Sequence, residues 1–507
     1  MQSAAGKRSD APPGGNGTFP RIGKWRLRVL DSPQQKDHKP EVREQHRETR
    51  PGDADIQTAN AGCGLTVELA GRALEVRHDG LPSDARRLAL DCLTDWLGCA
   101  IAGTREPASR IVTDCMLDEG GAPQASLVGQ GIKASMPQAA LVNGTASHAL
   151  DYDDVNLALP GHASAAIVPG LLALAEHREA PISDFIAAFV AGYETACRIG
   201  KLVSPAHYAS GFHATATIGS LGSAMACAHL LSLPLEQSCF ALGLAATQAA
   251  GLKAMFGSMA KPLHAGMAAQ AGLRSALLAQ KGFVSRGDAL ECFQGFAHAH
   301  GDDFHPDRAL AEPDGGYYIL GNLFKFHASC FSTHSAIEAM TRLRREHRLT
   351  PGSISGIRIL AGVECTICNI QSPSTPLETK FSLKTAAALA LLGRDTSRLE
   401  TWDEAAKEDV QAIARNIRVE LQPGMGLSKS TVFVAAADRR SLEQTIDCNV
   451  PAGDKAAQSR RVADKFSAIA APVIGARQCG DILRRIASNT HDWTLPDLMR
   501  HCGPARR

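Results

Sequence analysis

The sequence lacks an excess of charge of either sign. Its 507 residues contain 53 lysines and arginines against 52 aspartates and glutamates, which leaves a formal net charge of +1. Proteins that bind nucleic acid or anionic membranes through their overall charge carry a clear basic excess. The charge balance therefore gives no support to either kind of partner.

The sequence also lacks long apolar runs. No uninterrupted apolar stretch of about 18 residues, the length of a membrane-spanning helix, occurs in the chain. The first sixty residues contain no apolar signal-peptide core, and their Asp and Glu residues argue against the alternative of a transit peptide. We expect a cytoplasmic protein with no membrane partner.

Organised cysteine and nucleotide motifs are missing as well. The fourteen cysteines are scattered without the regular spacing of a disulfide framework, which predicts reduced thiols. Cys365 and Cys368 form a CxxC pair, but a four-cysteine zinc site needs a second pair, and the chain has none. Neither a glycine-rich phosphate-binding loop nor the nucleophile elbow of serine hydrolases is present. Nucleotide binding and serine-based hydrolysis therefore have no support.

What the sequence does contain is a strong helical pattern. Residues 1–62 are rich in Gly, Pro and charged side chains, and we predict a disordered N-terminal extension. From about residue 64, alanine-rich segments repeat apolar residues every three or four positions, which predicts closely packed helices. After a first helix that follows Pro82, these segments lie at 163–177, 184–200, 214–232, 235–250, 265–281 and 334–347.

The pattern changes after about residue 320. Alternation with period two predicts strands at 355–362, 416–422, 430–436 and 442–450, with helical segments between them. Helical periodicity returns from about residue 460. We therefore predict a mainly α fold, in which a large helical domain made from both chain ends (63–318 and 453–507) contains an inserted, smaller α+β domain (319–452).

Five clusters of polar residues interrupt the apolar background, each just before a predicted helix. Their members are Asp151, Asp153, Asp154 and His162; His207, Tyr208 and His213; Lys261 and His264; Lys325, His327, Cys330 and His334; and Lys380, Ser382 and Lys384. Helix N-termini present unpaired N–H groups and a partial positive charge, so several of them at one cleft would bind an anion. Because three clusters also contribute lysines, we expect a polycarboxylate substrate.

This substrate class suggests a reaction. Removal of a proton next to a carboxylate creates an enediolate, which fixed cations and N–H donors stabilise. Asp and His side chains in a partly desolvated cleft can act as the base and the acid. Each of these residues also has a structural interpretation, as a hydrogen-bonded buried histidine or a capping aspartate. We assign Asp153 and Asp154 to structural support.

A further cluster, "FAHAHGDDFHPD", resembles a metal site. Its candidate ligands are His298, His300, Asp302, Asp303 and His305. The alternative is a solvated polar loop, which we favour. We predict no metal, and keep a catalytically silent metal- or ligand-binding protein as the hypothesis from another functional class.

Taken together, the motifs resemble the MmgE/PrpD family, which includes 2-methylcitrate dehydratase, cis-aconitate decarboxylase and iminodisuccinate epimerase. The matching motifs are "HALDYDDVNLALPGHASAAIVP", "GYETACRIG", "HYASGFHATATIGSLGSA", "MAKPLHAGMAAQAGL", "KFHASCFSTHSAIEA" and "LETKFSLKTAAALAL". The resemblance implies that the α+β domain is a lid over a cleft, that the protein is a homodimer, and that it works without a metal or organic cofactor.

The resemblance also implies that the site contains Asp151, His162, His213, Lys261, Lys325 and Cys330, and the polar clusters add His264 and Lys384. We predict that Asp151, His162, His213 and Lys261 are catalytic, and that Lys325, Cys330, His264 and Lys384 bind substrate. Asp151 and His162 would be the acid/base pair, and Cys330 lies where some decarboxylase members have a histidine. We predict a hydro-lyase similar to 2-methylcitrate dehydratase; the alternatives are an epimerase of an amino- or imino-dicarboxylate and a cis-aconitate-type decarboxylase.

Overall fold

The alanine-rich segments form helices, and the alternating segments form a sheet. The computed structural model describes residues 64–488 and 493–504, which belong to one compact unit. The helices are α1 (Leu65–Leu74), α2 (Ser83–Gly103), α3 (Pro107–Glu119), α4 (Met136–Ala149), α5 (Ala163–His177), α6 (Ile182–Val203), α7 (Ala206–Ala209), α8 (Ala214–Leu230), α9 (Leu235–Ala246), α10 (Ala260–Gln280), α11 (Phe296–Ala299), α12 (Pro306–Leu310), α13 (His334–His347), α14 (Pro376–Thr379), α15 (Leu383–Leu391), α16 (Leu399–Asp403), α17 (Glu408–Arg415), α18 (Lys455–Ile474), α19 (Ala476–Ile486) and α20 (Leu495–Met499). The strands are β1 (Ala125–Leu127), β2 (Ile132–Ala134), β3 (Ile354–Gly362), β4 (Ile417–Gln422), β5 (Lys429–Ala436) and β6 (Ser441–Asp447).

Small residues allow the central helices to pack at short distance. Helix α10 contacts α4 and α8, and α8 contacts α6. A Cβ atom added to Gly144 of α4 would lie 2.7 Å from the Cα atom of Gly266 of α10, and one added to Gly266 would overlap the carbonyl oxygen of Leu141. Glycine is required for this approach. The crossing brings the turn that follows α4, with Asp151, next to the start of α10, with Lys261.

The two ends of the described chain share one core. Helix α18 packs on α2, and its Val462 and Phe466 are buried in the same apolar cluster as Trp96 of α2. A Cβ atom added to Gly98 would lie 3.2 Å from the Cα atom of Phe466. The helical part is therefore completed by the last helices of the chain.

The larger sheet lies between these helical segments in the sequence. Its strand order is β4-β3-β5-β6, with β3 parallel to β4 and the other pairs antiparallel. Helix α13 contacts β5 and β6. Ile359 and Val432 are buried in a second apolar cluster, which also contains Leu150 and Tyr152. This second core therefore reaches the residues on both sides of Asp151.

The predicted fold class and elements are largely confirmed. The chain is mainly helical; the helices predicted between residues 163 and 347 correspond to α5, α6, α8, α9, α10 and α13, and the four strands to β3–β6. Helix α4 and the β1–β2 hairpin were not predicted. The domain boundaries and the homodimer stay predictions, and the disordered extension predicted for residues 1–62 lies outside the described residues. Among the helices of the described ranges, none has the length and apolar content that crossing a membrane requires.

Candidate active site

Asp151, in the turn after α4, is the centre of a charged cluster. Its φ angle of 51° is a left-handed conformation that is uncommon for residues other than glycine. Lys325 Nζ donates to the main-chain oxygen of Asp151 at 2.8 Å and to Oδ1 at 2.7 Å. Lys261 Nζ lies 2.8 Å from Oδ2. Lys325 stabilises the unusual turn because it bonds the main chain and the side chain of the same residue.

The charges of this cluster are buried together. Asp151, Lys261 and Lys325 are 2%, 4% and 0% exposed. Burial by itself raises the pKa of Asp151, but Lys261 and Lys325 outweigh it and hold that pKa well below its usual value. Burial opposes the protonated form of Lys261, yet Asp151 raises the pKa of this lysine above its usual value. One carboxylate with two ammonium groups leaves a local positive charge that suits a substrate carboxylate.

His162, the residue before α5, lies between two carboxylates. Its Nδ1 is 2.9 Å from Asp153 Oδ2, and its Nε2 is 3.7 Å from Asp151 Oδ1. His148 Nδ1 is 3.0 Å from each oxygen of Asp153. Burial lowers the pKa of His162 to about 4, although Asp153 opposes the shift. If Nδ1 donates to Asp153, as this partner indicates, the neutral ring keeps Nε2 unprotonated and able to act as a base.

His213, the residue before α8, extends this group of rings. Its ring stacks on His148 with centroids 5.8 Å apart, and its Nδ1 is 3.2 Å from Nδ1 of His264. Burial, then His148 and Lys261, hold the pKa of His213 well below its usual value, and burial lowers the pKa of His264. At neutral pH both rings are uncharged, so His213 can contact a substrate carboxylate by hydrogen bonding and not as a cation.

Cys330 contributes a thiol that titrates near neutral pH. A hydrogen bond with Cys368 lowers the pKa of Cys330 to about 7; burial and Asp151 oppose this shift, whereas Lys261 and Lys325 reinforce it. A thiol with this pKa is a competent proton donor or acceptor at neutral pH.

One small cavity brings part of the predicted set together. Its volume is about 50 Å³, and His162, His213, Lys261 and Cys330 line it. Asp151 and Lys325 lie behind this lining, and Lys325 directs its ammonium group at Asp151. The structure therefore places Lys325 in support of Asp151, and the substrate contact predicted for it stays a prediction. His264 contacts His213 without lining this cavity.

In the segment around the start of α15, Lys380 contacts the Asp151 turn, whereas Lys384 was the lysine predicted to bind substrate. Lys380 is buried, its Nζ donates to the main-chain oxygen of Leu150 at 3.1 Å, and burial lowers its pKa. Lys384 lies half-buried in the first turn of α15 and does not line the cavity. The geometry therefore supports Lys380 as the lysine of this segment that holds the Asp151 turn.

A buried lysine that sequence reasoning missed supports both loops of the cluster. Lys465 of α18 lies with its Nζ 2.7 Å from Asp95 Oδ1, 2.6 Å from the main-chain oxygen of Tyr152 and 3.0 Å from that of Lys325. Asp95 outweighs burial and raises the pKa of Lys465. The signal in the sequence was a lysine inside the apolar run "ADKFSAIAA", a position where a charged side chain needs a buried partner.

Asp153 and Asp154 were predicted to be structural, and both are fully buried. Asp153 forms hydrogen bonds with His148 and lies 2.9 Å from His162 Nδ1, so its charge faces both rings. Asp154 accepts from Ser164 Oγ at 2.9 Å. Burial, with Asp95 and Asp153 nearby, raises the pKa of Asp154 well above its usual value.

One group of side chains could hold a metal ion by proximity. Ligand atoms of His148, Asp151, Asp153 and His162 all lie within 4.8 Å of one another. The Asp151 oxygens already lie 2.7 and 2.8 Å from two lysine ammonium groups. These groups would repel a divalent cation at Asp151, and the repulsion is strong because burial removes water. The charge arrangement favours an anion near this cluster.

The alternative metal loop is not assembled as a site. In the described part of the chain, the group around His148 is the only set of ligands close enough for one ion. Asp303 instead accepts the main-chain N–H of Ala206 at 2.6 Å, and the His300 ring stacks on Phe296. Residues 298–305 thus serve to hold the chain near α7.

The arrangement has the parts that carbanion chemistry needs. Lys261 presents a positive charge to the cavity, His162 presents an unprotonated nitrogen, and Cys330 presents a proton. These groups can bind a carboxylate, stabilise an enediolate and transfer protons to or from carbon or oxygen.

Two family models match the chain. The MmgE/PrpD N-terminal domain matches residues 67–309, and the MmgE/PrpD C-terminal domain matches residues 327–488. The cavity-lining residues His162, His213 and Lys261 fall in the first match, and Cys330 falls in the second.

Curated relatives with similar sequences carry decarboxylase names. The cis-aconitate decarboxylase of Aspergillus terreus is 27% identical over 447 residues, which cover 82% of this chain and 91% of the relative. The cis-aconitate decarboxylase-like protein oryM of Aspergillus oryzae is 29% identical over 299 residues, 56% of this chain and 62% of that protein. The cis-aconitate decarboxylase of Homo sapiens is 28% identical over 335 residues, 63% of this chain and 68% of the relative.

Proposed function

Because the chain belongs to the MmgE/PrpD family, we propose that it is a lyase that decarboxylates a small unsaturated tricarboxylic acid of the cis-aconitate type. The names of its relatives support this reaction over the hydro-lyase expected from the sequence. The observation that carries the proposal is one cavity lined by a cation, Lys261, and by two proton-transfer groups, His162 and Cys330.

Substrate binding in this proposal depends on Lys261. Its ammonium group is paired with a carboxylate that a second lysine already compensates, so positive charge remains for a substrate carboxylate. Lys261 lies between Phe256, which lines the cavity, and Phe381, which does not, and each ring centroid is 5.0 Å from Nζ. These apolar rings exclude water, which strengthens the attraction between the ammonium and the bound carboxylate.

The reaction breaks one carbon–carbon bond and forms one carbon–hydrogen bond. The bond to the departing carboxylate breaks, CO₂ leaves, and the electron pair passes through the adjacent double bond onto a neighbouring carboxylate as an enediolate. Lys261 stabilises this charge. Cys330 then delivers its proton to carbon, and solvent returns a proton to the thiolate. This assignment revises the acid/base pair predicted from the sequence, because both Asp151 oxygens are engaged by ammonium groups.

A hydro-lyase reaction is the second candidate, and one observation favours it. The cavity contains a base with a pKa of about 4, His162, together with an acid with a pKa of about 7, Cys330. Dehydration needs both, since a base must remove the proton next to the carboxylate and an acid must protonate the departing hydroxide. Decarboxylation needs only the acid.

The test is incubation of the purified protein in heavy water with cis-aconitate, 2-methylcitrate and an imino-dicarboxylate, followed by NMR and CO₂ measurement. Decarboxylation predicts CO₂ release with one deuterium on the product carbon. Loss of water from 2-methylcitrate would support the second candidate, and exchange without loss of either group would support an epimerase.

The control is Lys261→Met, which should lower kcat/KM for whichever turnover is seen by about 10²- to 10³-fold. Absence of turnover and exchange with all three acids would contradict the proposal. If the purified protein also contained stoichiometric metal, this lack of turnover would favour the alternative hypothesis of a catalytically silent metal-binding protein.

A further inference from the structure

A larger cavity lies beside the small one. This second cavity, here called the outer cavity, has a volume of about 840 Å³. Both linings contain Leu157, Pro160, Tyr208, Ile367 and Leu427, so the two cavities adjoin each other. The outer cavity is therefore the larger space next to the one that His162, Lys261 and Cys330 line.

The outer cavity carries an excess of positive charge. Lys201 at the end of α6, Lys253 and Arg308 of α12 line it, against a single acidic residue, Glu364. Within the described ranges, none of the three cations has a carboxylate oxygen within 4.0 Å of its charged nitrogen atoms. Three unpaired cations around one cavity attract an anion of high charge.

Lys253 lies where the two cavities meet. Its Nζ donates to the main-chain oxygen of Tyr208 at 2.8 Å and lies 3.6 Å from the centroid of the Tyr208 ring. Tyr208 lines both cavities. One of the three cations is thus fixed at the boundary and can contact an anion that extends from the inner to the outer cavity.

The sizes of the cavities favour such an extended arrangement. A single water molecule needs about 10–15 Å³ of cavity volume, so the inner 50 Å³ holds about three to five water molecules. A tricarboxylate is larger than this space. Its remaining carboxylates can extend into the outer cavity, whose charge is of the right sign.

We infer that the outer cavity is a second carboxylate subsite, in which Lys201, Lys253 and Arg308 bind the distal groups of a polyanionic acid while Lys261 binds the reacting end. The inference rests on the proposed function for the class of substrate. It predicts that the site binds acids with several carboxylates more tightly than monocarboxylic acids.

The experiment measures binding without turnover. Propane-1,2,3-tricarboxylate, which has no double bond and cannot follow the proposed reaction, is titrated calorimetrically into the wild type and into the Lys201→Glu/Arg308→Glu variant at several salt concentrations. The matched control is Lys281→Glu/Arg345→Glu, which changes the net charge equally at exposed positions that do not line the outer cavity. Thermal unfolding of all three proteins verifies that they are folded.

We expect the cavity variant to bind the tricarboxylate about tenfold more weakly than the control, with a flatter dependence of Kd on salt. An affinity within twofold of the control, or no binding to the wild type, would overturn the inference. If the cavity variant loses affinity while the wild type turns over no acid, the result supports the subsite and contradicts the proposed reaction. If the affinity is unchanged while the wild type decarboxylates cis-aconitate, the result supports the reaction and contradicts the subsite.

Discussion

Lys261 connects the buried cluster with the cavity, because its ammonium group contacts Asp151 at 2.8 Å and also lines the space where a substrate would bind. We expect Lys261→Met to lower kcat/KM for cis-aconitate by about 10²- to 10³-fold, the usual effect of removing one group that stabilises a developing oxyanion. Steady-state kinetics measure it. Lys384→Met should change kcat/KM by less than about twofold, and an equal loss in both variants would restore the binding role predicted for Lys384.

The pH dependence of the reaction should follow Cys330. A thiol that donates a proton must be protonated, so decarboxylation should slow as the pH rises through about 7, the pKa of Cys330. Cys330→Ser should lower kcat by about 10²- to 10⁴-fold and remove this decline, because a serine hydroxyl does not ionise in that range. A pH–rate profile of both proteins is the measurement, and a decline near pH 7 that persists in the serine variant would contradict the assignment.

The sequence predicted positions in the candidate site to the extent that they precede helices. Polar residues directly before an apolar helix are visible in one dimension, and the structure places His162 and His213 in that position. The contact between Lys380 and the Asp151 turn was not visible, since it depends on which side chain faces that turn after the chain folds. Lys465 was missed because its three partners come from distant parts of the sequence.

At the scale of elements, the crossing of α4 and α10 determines the distance between Asp151 and Lys261. Gly266→Ala adds a Cβ atom that overlaps the backbone of α4, so we expect a loss of about 1–3 kcal/mol in the free energy of unfolding and a lower kcat. Urea unfolding and steady-state kinetics measure the two effects.

The matched control for this crossing is Gly71→Ala in α1, where an added Cβ atom meets nothing within 4 Å. Because alanine favours a helix over glycine, this variant should gain about 0.5–1 kcal/mol. A Gly266→Ala variant as stable as Gly71→Ala would mean that the helices separate without cost.

The elements that the sequence predicted well are those with a clear period. Strands β3 to β6 and the long helices repeat apolar residues at two or at three and four positions, and they were located to within a few residues. The hairpin of β1 and β2 has three residues in each strand, too few to establish a period. Helix α4 is buried on almost all sides and therefore has no polar face, but its capping box, Ser135 with Gln138, was a readable start signal.

At the scale of the whole molecule, Lys465 joins helix α18, from the late part of the chain, to the parts that carry the site. We expect Lys465→Met to cost about 3–5 kcal/mol of unfolding free energy, because Asp95 is left as a buried charge without a partner. Burial already raises the pKa of Asp95 although Lys465 opposes it. A carboxyl whose pKa is raised by folding destabilises the fold while it is ionised, so this deficit should shrink as the pH falls.

The double variant Lys465→Met/Asp95→Asn separates charge from packing. Without the unpaired carboxylate it should regain much of the lost stability. We expect a low kcat in both the single and the double variant, since Lys465 no longer holds the main-chain oxygens of Tyr152 and Lys325. Chemical denaturation at two pH values and kinetics on the same samples measure this. A double variant with wild-type kcat would show that the lysine only balances charge.

The dependence of the cluster on α18 also sets an order of events during synthesis. The ribosome makes Asp151, Lys261 and Lys325 well before residue 465, and until α18 leaves the exit tunnel Asp95 has no cation and the core around Trp96 is incomplete. Until α18 has been synthesised, nascent chains therefore expose apolar surface that belongs to the core around Trp96. Chaperones recognise such exposed apolar surface. A message truncated before codon 455 would yield a chain with every cavity-lining residue and no activity.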